Sequence, residues 1–99
     1  MPALSDYANV DDTALALLGE KGFQVWRDEA AELYCAERDG WDFMAPSPVA
    51  LLGLISIFER VGPSEYQEYW WLNRAAAGAH TRVPSSPPRE YVPVWGKKA

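Results

Sequence analysis

Reactive side chains are scarce in this sequence. Its 99 residues include one cysteine, Cys35, and one histidine, His80. A single cysteine cannot form an internal disulfide, which argues against a small secreted domain held together by disulfides. The sequence has no G-x-S-x-G nucleophile motif, no phosphate-binding loop and no spacing typical of zinc or calcium ligands. We therefore expect no metal and no cofactor, and the sequence favours binding over catalysis.

Positive charge is also in short supply. Nine Lys and Arg residues stand against fourteen Asp and Glu, for a formal net charge of −5. Proteins that bind nucleic acid neutralise its backbone with clustered Lys and Arg, so direct binding to nucleic acid is not expected. No apolar run is long enough to cross a bilayer, and the N-terminus lacks the pattern of a signal peptide. These features predict a cytoplasmic protein that does not enter the membrane.

Aromatic residues, in contrast, are abundant at 13% of the chain, and hydrophobic residues reach 48%. That composition is typical of a folded domain. We predict one α+β domain over residues 1–82 and a proline-rich, extended tail over residues 83–99. Four apolar residues of the tail could anchor it to the domain: Tyr91, Val92, Val94 and Trp95.

The pattern of apolar and polar residues in the first half of the chain predicts one helix followed by three strands. A helix over residues 11–21, capped by Asp11 or Asp12, comes first. Alternating apolar and polar residues then predict three strands, and the Asp39-Gly40 pair between the last two is a strong hairpin signal. The expected strands, which form a three-stranded antiparallel meander, cover residues 23–28, 31–37 and 41–45.

The second half predicts helices. Ser47 and Pro48 are suited to the cap and first position of a helix over residues 49–60, which is apolar almost all round and therefore expected to be buried on most of its surface. A third helix is predicted from Ser64, with Gln67 at a capping-box spacing. The resulting order is α-β-β-β-α-α. One face of that third helix cannot bury all of its aromatic residues, so Trp70 or Trp71 should be partly exposed or covered by the tail.

The charge is unevenly distributed along the chain. Residues 1–63 carry 11 acidic and 4 basic side chains, a net of −7, whereas residues 64–99 carry 3 acidic and 5 basic ones, a net of +2. An acidic face suits a protein partner with a basic surface. Large exposed aromatic side chains are typical anchors of interfaces. No catalytic residue is predicted, and the candidate partner-binding residues are Asp28, Glu29, Glu32, Glu37, Asp39, Asp42, Tyr69, Trp70 and Trp71.

Two other kinds of function remain open. Aromatic residues could line the pocket of a small enzyme or ligand-binding module, with His80, Arg82 or Tyr91 supplying polar contacts, and Cys35 could in principle act beside His80. The chain could also be a structural protein that associates with copies of itself.

Residues 28–55 resemble the strand-rich opening of HicB-type antitoxins. The similarity rests on an acidic turn, an aromatic residue in the next strand, an Asp-Gly turn and a serine at a helix start, and the matching positions are Asp28, Glu29, Tyr34, Asp39, Gly40 and Ser47. The chain departs from that family in its additional first helix, its more apolar helix after Ser47 and its lack of a DNA-binding end. More broadly, small acidic domains rich in aromatics resemble bacterial immunity proteins and phage-encoded inhibitors. That resemblance implies a protein that binds one protein target and blocks it without catalysis.

Overall fold

The computed structural model describes residues 3–87, which belong to two compact units. The first unit, Ser5–Trp71, contains the sheet and both α-helices. The described residues of the second unit are 3–4 and 72–87. The boundary between the two units falls after Trp71, and the domain over residues 1–82 stays a prediction.

The first unit is built on a three-stranded antiparallel sheet. Its strands are β1 (Gln24–Asp28), β2 (Leu33–Arg38) and β3 (Trp41–Ala45), in the order β1-β2-β3. Cys35 at the middle of β2 pairs with Trp26 on β1 and with Met44 on β3. The predicted α+β fold with an antiparallel meander is therefore confirmed.

The turn between β2 and β3 is made by Asp39 and Gly40, as the sequence predicts. Both residues have positive φ angles, 53° and 83°, which a type I′ hairpin turn requires. The carboxylate of Glu37 accepts a hydrogen bond from the backbone N–H of Gly40 at 2.8 Å. Glycine is favoured at this position because a side chain there disfavours the left-handed backbone conformation.

Substitution by alanine at two glycines of this unit should change the free energy of unfolding in opposite directions. A Cβ atom added at Gly40 or at Gly53 would meet no other atom within 4 Å, and only Gly40 has a positive φ. We expect Gly40→Ala to lower the free energy of unfolding by about 1–2 kcal/mol through backbone strain. Gly53→Ala, inside a helix, should raise it by about 0.5–1 kcal/mol. Urea unfolding of both variants tests this, and a destabilised Gly53→Ala would contradict the helical assignment.

Two α-helices flank the sheet in the sequence. α1 (Ala8–Glu20) begins three residues before the predicted position 11, and its cap residue is Tyr7 in place of Asp11 or Asp12. The carbonyl oxygen of Tyr7 accepts hydrogen bonds from Val10 and Asp11, at 2.9 and 3.2 Å, so the first helical turn closes one turn earlier. Asp11 still lies in that first turn, where a carboxylate is favoured by the helix dipole.

The second helix, α2 (Pro48–Val61), confirms the start predicted at Ser47 and Pro48. The Ser47 hydroxyl accepts a hydrogen bond from the N–H of Ala50 at 3.1 Å, and Pro48 occupies the first helical position. Gly62 ends the helix in the left-handed conformation, and its N–H donates to the carbonyl of Phe58 at 2.8 Å.

The core lies between the two helices and one face of the sheet. The fully buried side chains Leu18, Leu51 and Ile55 come from the helices, and Ala36 and Phe43 come from the inner face of the sheet. Alternation along each strand sends the neighbouring side chains to the opposite face. Since both helices contribute to this one cluster, they pack on the same side of the sheet.

The third predicted helix is wrong. No α-helix forms between Val61 and residue 87, and the chain turns at residues 68–71 with Tyr69 at a φ of 59°. The N–H of Trp70 donates to the carbonyl of Gln67 at 3.1 Å, which closes a tight turn. Aromatic residues are only moderate helix formers, and this turn brings Trp70 against the hydrophobic core, which helix propensity alone does not anticipate.

The described part of the second unit contains two short 3₁₀ helices, Arg74–Ala76 and Ala79–Arg82. Asn73 caps the first by accepting hydrogen bonds from Ala75 and Ala76. The predicted tail anchors Tyr91, Val92, Val94 and Trp95 lie outside the described residues. Within residues 3–87, no helix has the length and apolar character needed to span a bilayer.

Candidate interaction surfaces

The acidic residues proposed from the sequence do not form one cluster. Asp28, Glu29 and Glu32 lie at the turn between β1 and β2, where Glu32 adopts a positive φ of 56° and is not part of a strand. The Asp28 carboxylate accepts a hydrogen bond from the N–H of Ala31 at 3.1 Å. Glu29 pairs with Arg27, and this hydrogen bond and charge raise the pKa of Arg27 above its usual value. The carboxylates of Asp28 and Glu29 therefore already interact with residues of the same hairpin.

The other three acidic residues lie at the opposite end of β2. Glu37 and Asp42 are directly paired across β2 and β3, and Asp39 lies in the turn, 3.8 Å from the guanidinium of Arg38. β2 is six residues long, so the two ends are about 17 Å apart at roughly 3.4 Å per residue. Two like charges directly opposite each other on a sheet disfavour folding. The structure thus contains two separate acidic groups, one at each end of the meander.

The outer face of the sheet, which we call the open sheet face, carries an apolar row between these groups. Trp26, Cys35 and Met44 lie side by side across the three strands. Trp26 is 48% exposed and Met44 is 59% exposed, whereas Cys35 between them is buried. A thiol in that position is typical of a structural cysteine.

The aromatic residues proposed as anchors extend from the core to the surface. Trp70 is half-buried, with its ring centroid 5.5 Å from that of Trp41 and 5.9 Å from that of Phe58. Trp71 contacts Trp70 edge-on at 5.9 Å and Tyr69 at 5.7 Å. Trp71 is 48% exposed and Tyr69 is 59% exposed, which confirms that the aromatic segment cannot be buried completely.

α2 is less buried than the sequence predicts. Its buried side faces the sheet through Leu51, Ile55 and Phe58. A second apolar side carries Leu54 and Ile57, 38% and 44% exposed, and the last helical residue, Val61, is 46% exposed. The expectation of a helix buried on most of its surface is therefore wrong, because two helices and three short strands provide too little surface to cover a helix that is apolar all round.

This second side of α2 and the two tryptophans border a groove that is open to solvent. We call it the tryptophan groove; its volume is about 180 Å³ and its lining residues are Phe43, Leu54, Ile57, Trp70 and Trp71. Every lining side chain is apolar or aromatic. The floor is fixed, because Phe43 is buried and its ring lies 5.2 Å from that of Phe58. An apolar depression whose floor belongs to the core is suited to receiving one apolar side chain.

Two of the five residues that line the tryptophan groove are among those predicted from the sequence. Trp70 and Trp71 were candidate anchors, and both line it. Leu54 and Ile57 were missed because their apolar character was attributed to the core. A signal was present in the sequence, since residues 49–60 are apolar on more faces than so small a domain can cover.

Cys35 and His80, the two residues considered for a catalytic pair, belong to different units of the chain. Cys35 is on the open sheet face of the first unit, and His80 is in the 3₁₀ helix Ala79–Arg82 of the second. The Arg82 guanidinium donates to the carbonyl of Ala77 at 2.9 Å. Across residues 3–87, no three His, Cys, Asp or Glu side chains come together as potential metal ligands.

Comparisons with models of known families, with curated proteins and with solved structures find no match to this chain. The resemblance of residues 28–55 to HicB-type antitoxins accordingly stays a prediction. What the structure establishes is an α+β domain in which an apolar, aromatic groove opens beside α2.

Proposed function

We propose that this protein acts by binding another protein and blocking or modulating it, with no chemical step of its own. The observation that carries the proposal is the tryptophan groove, an apolar depression open to solvent on a domain of only 67 residues, Ser5–Trp71. Contiguous apolar surface of this kind on a small domain marks an interaction site. The same mode of action is expected of bacterial immunity proteins, antitoxins and inhibitors.

The energetics support an anchor at this position. An aromatic side chain offers about 150–250 Å² for burial, so the exposed half of Trp71 amounts to about 100 Å² of surface. At about 25 cal/mol per Å², covering it would contribute about 2–3 kcal/mol. The groove also costs little to organise on binding, since its floor and Trp70 are already held by the core.

The volume of the groove, about 180 Å³, matches a single side chain of a partner. A dry cavity of about 150 Å³ accommodates a molecule of the size of benzene. A leucine, phenylalanine or similar side chain would therefore fill the groove.

The acidic surface would act over a longer range. The whole chain has a net charge of −5, and acidic groups lie at both ends of the meander, so the protein would attract a partner whose surface is basic. Such attraction speeds association more than it strengthens the final complex. In this proposal the carboxylates steer the partner and the aromatic groove holds it.

A capture experiment with matched variants tests the proposal. The baits are the full chain, Ile57→Arg and Ser56→Arg, each incubated with a lysate of the source organism and compared by quantitative mass spectrometry. Ile57 lines the groove and Ser56 is an exposed neighbour on α2 that does not. We expect at least one protein to be retained by the full chain and by Ser56→Arg and lost with Ile57→Arg, because a charge in the groove excludes an apolar side chain.

If both variants retain the same proteins as the full chain, the groove is not the binding site. Far-ultraviolet circular dichroism of the two variants is the control for folding, since both substitutions are at exposed positions of the same helix.

A further inference from the structure

A second cavity lies directly beside the tryptophan groove. Its volume is about 320 Å³, and Trp70 lines both spaces. The second cavity forms where the chain leaves α2, and its other lining residues are Val61, Gly62, Pro63, Ser64, Glu65 and Gln67. One side of Trp70 therefore borders an apolar groove, and another borders a space with polar and acidic walls.

Two sources of negative potential meet in the second cavity. The first is the carboxylate of Glu65, which forms no ion pair with any residue of the described part of the chain. The second is the C-terminal end of α2, whose last residue Val61 and cap residue Gly62 line the cavity. The C-terminus of a helix carries a partial negative charge and favours cations. Arg60 in the last turn of α2 is one such cation, but it is exposed and does not line the cavity.

The third feature is the indole of Trp70 itself. Tryptophan is the aromatic side chain that attracts cations most strongly, and arginine is the side chain most often found against it. A guanidinium or ammonium group in this cavity would thus meet a carboxylate, a helix C-terminus and an indole together. An anionic group would be repelled by the carboxylate and by the helix C-terminus, and a purely apolar group would gain contact with the indole alone.

We infer that the two cavities together recognise a segment of a protein partner that carries a large apolar side chain and, beside it in the sequence, an arginine or lysine. The apolar side chain occupies the tryptophan groove, and the cation lies against Trp70 near Glu65. The shared wall requires the two anchors to lie close together on one segment. This inference rests on the proposed function and specifies the chemistry of the partner at that same site.

Selection of peptides on the intact chain tests the inference. A phage-displayed library of random 16-residue peptides is selected on the immobilised full chain, and the enriched peptides are then measured by fluorescence anisotropy. We expect enrichment of peptides with Arg or Lys within four residues of Leu, Phe or Trp. Their affinity should fall about tenfold or more for Glu65→Lys and change less than about twofold for Glu68→Lys. Glu68 is the matched control because it is an exposed carboxylate of the same segment that lines neither cavity.

Several outcomes would overturn the inference. One such outcome is the enrichment of peptides that carry no cation. Another is a set of peptides that bind Glu65→Lys as tightly as the full chain but fail to bind Ile57→Arg. Either result would leave the groove as a binding site and remove the acidic cavity from recognition. Peptides that depend on neither Ile57 nor Glu65 would remove both the inference and the proposed function. A dimer in sedimentation that dissociates in Ile57→Arg would show that a second copy of the chain occupies the groove.

Discussion

Ile55→Ala is expected to lower the free energy of unfolding by about 2–5 kcal/mol, whereas Ile57→Ala should lower it by less than about 1 kcal/mol. The two residues are of the same type, two positions apart on α2. Ile55 has no exposed surface and is part of the core, and Ile57 is 44% exposed at the edge of the tryptophan groove. The larger loss arises because removing three buried carbons leaves a cavity that the core cannot fill completely.

Urea unfolding followed by tryptophan fluorescence measures both values. A domain of this size has about 5–15 kcal/mol of stability in total, so Ile55→Ala should shift the midpoint strongly. Equal losses for the two variants would mean that α2 presents a different face to the sheet. The same pair separates folding from binding, because Ile57→Ala should weaken partner binding although it leaves the domain folded.

Trp71→Ala is expected to weaken binding to the captured partner by about 30-fold or more, which corresponds to about 2 kcal/mol. Trp71 forms a wall of the tryptophan groove and supports Trp70 through edge-on contact at 5.9 Å. Loss of this indole removes apolar contact area and loosens the neighbouring ring. Isothermal titration calorimetry of the full chain and the variant gives the ratio of dissociation constants.

The matched control for this prediction is Trp26→Ala. Trp26 and Trp71 are each 48% exposed, so the two substitutions remove similar amounts of accessible indole. Trp26 is on the open sheet face, away from the side on which the helices pack. We expect less than a threefold change in affinity for Trp26→Ala. A large loss of affinity with Trp26→Ala and none with Trp71→Ala would show that the partner binds the open sheet face instead of the tryptophan groove.

Local patterns in the sequence were sufficient for most of the secondary structure. The alternation of Phe23 and Val25 with Gln24 and Trp26 predicts a strand, and the structure places Phe23 and Val25 on the core side. Asp39-Gly40 predicts a hairpin turn, and Ser47-Pro48 predicts the start of α2. These features depend on backbone preferences and on neighbours a few residues away.

The candidate interaction surfaces are only partly predictable from local patterns in the sequence. The acidic residues are close in sequence, but the length of β2 separates them into two groups at opposite ends of the meander. The predicted third helix does not form, because contact of Trp70 with Trp41 and Phe58 outweighs the weak helix propensity of residues 64–73. Neither outcome depends on local sequence alone.

The sequence by itself determined the first helix, the three-stranded meander, the start of α2 and the shortage of reactive groups. Only the tertiary structure decided that Leu54 and Ile57 remain exposed, that Trp70 and Trp71 lie beside them, and that Glu65 borders a neighbouring cavity. The physical reason is that backbone conformation responds to nearby residues, whereas exposure depends on how much surface the rest of the chain supplies to cover each side chain.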